Sequence, residues 1–327
     1  MSAGTRAAVA AGVMLAAGAG AGEAPLAADG GLFAVRDQNP LLRPFYLPTA
    51  RLAGADGVSA SAVLAWSNTV NLPVAAHESA WVDEETAELG LGLRYRRGDW
   101  LFAGQLPVIW RGNGVLDGLI HNYHSLLGFS EGDRPRVPRY SYRVTYALQD
   151  RPTVFVDKGT AIGDVPVEAG RVLYERAGTE LSLWLGLTVP TGSRRHGTGN
   201  GTVAESAWLA GAVPIGNRVQ LSGQAGVAHY GSTAELPRIH STATFGTFGA
   251  NVKVSSRLAL IAQLDAHTAI ADSDLRFLKP ALVLSYGARY ALGPALGLDV
   301  GMQEDAATNR SPDVTFYLGL NTRPARR

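Results

Sequence analysis

Residues 179–192 read TELSLWLGLTVPTG. Leu181, Leu183, Leu185, Leu187 and Val189 fill every second position, and Glu180, Ser182, Trp184, Gly186 and Thr188 fill the rest. A period of two is the period of a β-strand, whose side chains point alternately to opposite faces. The pattern returns along the chain. Val58 to Trp66, Leu89 to Tyr95, Trp100 to Trp110, Val219 to Val227, Leu258 to Leu264, Leu282 to Tyr290, Leu296 to Met302 and Val314 to Leu320 each place apolar residues on one face. Less regular strands fit near 162–175, 203–213 and 243–254. A sequence of this kind is all-β. Each strand has one apolar face, which lies against either a protein core or lipid.

The connections separate the two. Short ones, RRGD (96–99), RAG (176–178), PIGN (214–217), SSR (255–257) and LGP (292–294), alternate with longer ones at 70–79, 111–161, 190–202, 230–242, 271–279 and 304–312. Short turns at one rim and long loops at the other are the mark of an up-and-down transmembrane barrel. Counting strands gives about twelve, within roughly ten to fourteen, and bacterial barrels take an even number. Trp100 and Trp110 share a face ten residues apart. At ~3.3 Å per residue and a tilt near 40° they are roughly 25 Å apart along the membrane normal, the height of a lipid-facing band with its aromatic girdles. Charged residues are 17% of the chain, below the ~25% usual in soluble domains. The opposite faces carry Gly, Ser, Gln and scattered charges, which predicts a wet lumen.

The N-terminus has the layout of a secretory signal peptide: Arg6, an apolar run from Ala7 to about Ala19, then Ala19-Gly20-Ala21 or Gly22-Glu23-Ala24 as a cleavage box. The expected organisation is a signal peptide at 1–24, an N-terminal segment at 25–57 that is periplasmic or plugs the lumen, and a transmembrane β-barrel at 58–327. The implied location is the cell outer membrane, with membrane lipid and the barrel-assembly machinery as partners. No cysteine is present, which excludes disulfides and thiolate chemistry. A net charge of +1 without a basic cluster gives no nucleic-acid footprint.

GLFAVRDQNPLLRPFYLPTAR (31–51) resembles the opening of a family of Gram-negative outer-membrane barrels known only as a domain of unknown function. The family's RDQNPLL-like segment falls on Arg36 to Leu42. Further matching blocks are DEETAELGLGLRYRRGDW (83–100), LPVIWRGNGVLDGLIHNYHSLLGFSEGDR (106–134), GDV (163–165) and LTVPTG (187–192), in the family's order. The resemblance implies a barrel and supplies no catalytic residues. One departure is the end of the chain. The last strand runs on into NTRPARR rather than stopping on the aromatic residue that assembly machinery reads.

Leu116, Leu119, Ile120, Tyr123 and Leu127 recur at helical spacing in the long loop, predicting one short amphipathic helix. It is expected to pack into the barrel mouth or lie on the lipid surface, with Asp117, His121 and His124 on a solvated polar face. Those three residue types could bind a metal, but the sequence offers no fourth ligand, and no metal or cofactor is expected. His124-Ser125 and His240-Ser241 are adjacent pairs. Adjacent residues face opposite sides on a strand and do not face each other on a helix, so neither makes a nucleophile and base, and enzymatic activity is not expected. HGTGNGT (196–202) lacks the lysine and following helix of a phosphate loop and reads as a mobile loop. Lumen-lining candidates are Glu88, Arg94, Glu180, Asp265, His267, Arg289 and Asp299. The expected function is a passive channel for small polar solutes. The alternatives are an outer-membrane enzyme acting on lipid or a surface ligand near 111–135, and a structural barrel with a plugged lumen.

Overall fold

The computed structural model describes residues 31–128, 132–149, 151–231, 238–307, 309–312 and 314–322, and all that follows concerns these. The signal-peptide expectation lies outside them. The strands are β1 (Gly57–Asn71), β2 (Glu78–Arg97), β3 (Trp100–Gly112), β4 (Arg143–Leu148), β5 (Arg151–Val156), β6 (Gly159–Ile162), β7 (Val165–Arg176), β8 (Thr179–Val189), β9 (Ala204–Ile215), β10 (Val219–Tyr230), β11 (Thr242–Lys253), β12 (Leu258–His267), β13 (Ala281–Ala291), β14 (Leu296–Asp305) and β15 (Val314–Thr322). One α-helix, α1 (Leu116–Leu127), follows β3.

β1 pairs antiparallel with β2 on one side and with β15 on the other, so the sheet closes on itself. Twelve staves, β1–β3 and β7–β15, form the barrel. Closure leaves no unpaired strand edge toward lipid, which is the condition for crossing a bilayer with strands. The described residues contain no helix long and apolar enough to do so.

The short turns gather at one rim. Ala177 and Gly178 both take positive φ, 51° and 81°, a two-residue hairpin turn whose twist matches that of the flanking strands. The long loops gather at the other rim. There the β4–β5 hairpin extends β2 beyond the barrel, and β6 continues the β7 stave against the upper part of β3. The stave breaks at Gly163-Asp164, where Gly163 N–H donates to the Pro107 carbonyl at 2.8 Å. A Cβ at 163 would meet Pro107 Cγ at 2.8 Å, so this crossing needs glycine.

The leucines of β8 face outward. Leu183 is 41% exposed and Leu185 60%, whereas Ser182 and Trp184, on either side of Leu183, are fully buried. The barrel expectation is met. Part of the inner face is packed: Trp184 stacks on Trp208 with centroids 5.8 Å apart, and Trp208 leans on Phe245. The inner face of β8 is mixed, with Glu180, Ser182 and Thr188 alongside Trp184.

Helix α1 sits outside the barrel rather than in its mouth. Leu116 and Ile120 are buried with Val314 against Trp66, Met302 and Phe316 on the outward side of β1, β14 and β15. Glu85 holds its start, accepting from the Val115 and Leu116 N–H groups at 2.7 Å each and from Trp66 Nε1 at 2.7 Å. A carboxylate is stabilising at a helix N-terminus, where backbone donors lack intrahelical partners. Asp117 is not on a solvated face. It accepts from Asn68 Nδ2 at 2.9 Å and from the Tyr140 N–H at 2.6 Å, and pairs with Arg134 at 3.3 Å. Helical spacing marks which residues share a face but not what packs there. His121 is half-buried, and the side chain of His124 lies outside the described residues.

Candidate functional site

Residues 31–56 have no regular secondary structure, yet most of them are buried because they run through the lumen. The Gly31 carbonyl accepts from Arg289 on β13 at 2.9 Å, near the short-turn rim. The Phe33 N–H donates to Gln263 Oε1 on β12 at 2.8 Å. The segment rises to a turn at Asn39–Phe45, where backbone bonds join Leu42 to Asn39 and Phe45 to Leu42. It then descends. Gln224 Nε2 on β10 donates to the Pro48 carbonyl at 2.9 Å, Arg94 on β2 to the Leu52 carbonyl at 2.8 Å, and the Ala53 N–H to Glu180 on β8 at 2.7 Å. Prolines 40, 44 and 48 lack N–H donors and disfavour helix or ladder in this stretch. The wall therefore meets its bare carbonyls with side-chain donors.

The tip carries the RDQNPLL motif. Asn39 is fully buried, and its Nδ2 donates to the Phe277 and Arg310 carbonyls of two long-rim loops at 2.6 and 3.0 Å. Leu41, Leu42 and Phe45 are buried in one cluster with Val82, Val144, Tyr146, Tyr230 and Phe277. Burying each of the three is worth about 1.5–3 kcal/mol. The Pro40 carbonyl accepts from Arg111 at 3.0 Å, and Arg111 pairs with Glu84 at 3.1 Å with both side chains fully buried.

Charged contacts run down one side. Glu88 on β2 meets Arg43 at 2.7 Å and Arg36 at 3.3 Å. Arg43 also donates to Gln38 Oε1 and Thr86 Oγ1. Arg36 lies 5.3 Å over the Tyr46 ring, and the Tyr46 hydroxyl reaches Glu168 on β7 at 3.3 Å. Glu168 pairs with Arg51 at 2.7 Å. On the far wall His267 Nε2 lies 3.1 Å from Asp37 Oδ2, and the Ser311 hydroxyl donates to the other Asp37 oxygen.

Glu88, Arg94, Glu180, His267 and Arg289 thus bond directly to the threaded segment. Asp265 reaches it through Gln263, whose Nε2 donates to Asp265 Oδ2 at 2.8 Å. Asp299 reaches it through Arg289, in a two-bond pair at 2.7 Å each. Sequence reasoning missed Arg36, Asp37, Arg43, Arg51, Glu84, Arg111 and Glu168. The alternation of β2 and β3 held a signal for Glu84 and Arg111. The aperiodic segment held none for its own arginines.

The glycine-rich 196–202 stretch is built into the long-loop rim and is not a free loop. The Gly197 carbonyl accepts from Arg111 at 3.0 Å, and Thr198 and Asn200 are buried. Asp164 accepts from the Gly192 and Asn200 N–H groups at 2.8 and 3.1 Å. Burial nevertheless holds its carboxyl above the ordinary aspartate range. Around the segment the lumen keeps small gaps. One of about 130 Å³ lies beside Leu52, Arg94 and Arg289, and one of about 20 Å³ beside Tyr46 and Glu88.

A family model described as "Protein of unknown function (DUF3187)" matches residues 13–323. Among solved structures, an outer membrane channel named COG4313, from Pseudomonas putida F1, is similar at a TM-score of 0.54 and 13% identity, over 82% of this chain and 95% of that one. The KdgM porin is similar at 0.43 and 9% identity, over 81% and 99%. The toluene transporter TodX of P. putida is similar at 0.40 and 10% identity, over 89% and 94%. No curated protein matches the chain.

Proposed function

We propose that this chain, which belongs to the DUF3187 family, is an outer-membrane protein that gives small polar solutes a passive route across the membrane, closed at rest by its own residues 31–56. The observation that carries the reading is the lumen. Its wall is joined to a separate stretch of chain by hydrogen bonds and ion pairs. Small barrels fill their interiors with wall side chains, and wider ones hold a channel or a plug. Here the filling begins beside the short-turn rim and returns to it, so it can leave without breaking a stave.

The bonds set how firmly the closure is held. Each neutral bond between the segment and the wall exchanges for a bond to water at a net cost of about 0.5–1.5 kcal/mol, and each bond to a charged group at about 1.5–3 kcal/mol. The apolar tip, Leu41, Leu42 and Phe45, is the firm part of the hold. Membrane lipid and the assembly machinery are the partners this placement implies.

The test is planar-bilayer recording of the full chain and of Asn39→Ala, which removes the two bonds from Asn39 Nδ2 to the long-rim loops. Stepwise conductance in the full chain, with more frequent openings in Asn39→Ala, is the expected result. A folded protein that never conducts at any voltage, in either form, would leave a structural barrel with a permanently filled lumen.

A further inference from the structure

The charges of the lumen are divided unequally between wall and segment. Three wall carboxylates find arginines on the wall itself: Glu84 with Arg111, Asp299 with Arg289, and Glu175 with Arg96. Glu88 and Glu168 do not. The guanidinium groups in ion-pair range of Glu88 are those of Arg36 and Arg43, and that of Glu168 is Arg51. All three arginines belong to the segment. Over 31–56 the segment carries Arg36, Arg43 and Arg51 against Asp37 and Asp56. Moving it out takes a net positive charge from the lumen and leaves two acidic positions on one side without their counter-charges. Their side chains are 9% and 2% exposed in the closed state, so it is the departure of the arginines that uncovers them.

We infer that Glu88 and Glu168 make the open lumen selective for cations, and that the solutes it favours are small organic cations bearing a guanidinium or ammonium group. The inference rests on the channel reading above. Rings of acidic side chains select cations in pores, and a passage lined by one sign of charge concentrates counter-ions by about tenfold or more. The chain's own arginines already occupy these positions with the chemistry a solute would bring. A guanidinium donates to Glu88 at 2.7 Å and lies within 2.7 Å of Glu168. Tyr46, between them, leaves with the segment, so the two carboxylates then face the open passage with no segment group between them.

Two substitutions that break the same pair separate the possibilities. Arg43→Gln and Glu88→Gln each loosen the segment, but they leave the open lumen with different charge. In full-chain protein in planar bilayers under a KCl gradient, Arg43→Gln is expected to open more often than the parent and to prefer K⁺ over Cl⁻ by about tenfold. Glu88→Gln is also expected to open more often, with a clearly smaller preference, and Glu88→Gln with Glu168→Gln to approach none. Arg51→Gln and Glu168→Gln repeat the comparison at the second position, should either Glu88 variant fail to fold. Methylguanidinium should carry current through Arg43→Gln and much less through the double variant. Conducting variants that share one ion preference would overturn the inference and leave the channel reading standing. Folded variants that never conduct would overturn both.

Discussion

Placing an arginine on the outward face of β8 should cost most at the centre of the strand and least near its ends. Leu185 is 60% exposed, lies midway along β8 and pairs with Ala169 and Ala207 on the neighbouring strands. An arginine there has small direct partners and lies far from either rim, and the nearest outward charges, Arg171 and Glu205, are diagonal to it, opposite Leu183 and Leu187. At the bilayer midplane such a charge costs about 2–4 kcal/mol. Leu181 is also outward but sits near the Ala177-Gly178 turn, opposite Tyr174. An arginine at 181 can reach water, and its cost should be about 0–1 kcal/mol. The wall already supplies a natural instance. Arg171 lies on the outer face near the short-turn rim, its guanidinium 5.6 Å over the Trp100 ring. The difference between the two sites, about 1–4 kcal/mol, is a roughly fivefold or larger change in the folding equilibrium. Reversible urea unfolding in lipid vesicles, followed by tryptophan fluorescence, would measure it. In parallel, a fluorophore on a cysteine at 185 should be quenched by nitroxide placed deep in the bilayer. Equal costs for Leu181→Arg and Leu185→Arg, with no quenching at 185, would refute the claim that these leucines face lipid.

Trp184→Ala removes a fully buried ring stacked on Trp208 and should cost about 3–5 kcal/mol in the same unfolding assay. Glu85→Ala strips two backbone N–H groups and Trp66 Nε1 of their acceptor. It should loosen α1 by about 1–2 kcal/mol, read as faster protease cleavage within 113–141 while the barrel stays intact. Unboiled protein should run faster than boiled protein on a mild detergent gel, since a closed sheet offers detergent no edge; identical mobility would count against closure.

Several features could be read from the residues alone. Alternation in Leu181 to Val189 gave β8 and its outward face, and the rhythm of RRGD, RAG, PIGN, SSR and LGP gave the short-turn rim. The same parity rule placed Glu88 and Arg289 on the inner face, because a strand side chain has only two directions to choose from. Trp184 shows the limit of that rule. Parity assigns it inward but is silent on whether water or Trp208 meets it there. HGTGNGT looked free because its partners, Arg111 and Asp164, lie far away in sequence.

By itself, then, the sequence determined the all-β class, the antiparallel order with its two unlike rims, and which side of each stave is apolar. These follow from local periodicity and turn chemistry, which act over a few residues. Only the tertiary structure decided what occupies the lumen. Arg43 and Glu88 are 45 residues apart, Phe33 and Gln263 230. Residues 31–56 have no period to announce where they go. Their prolines remove donors and their arginines need carboxylates, but which carbonyl meets Arg94 and which carboxylate meets Arg43 is settled only when closure brings β2, β7, β10 and β12 around one space. The position of α1 has the same cause. Its apolar face was visible in the chain, whereas Trp66, Met302 and Phe316 become one surface only after β1, β14 and β15 stand side by side.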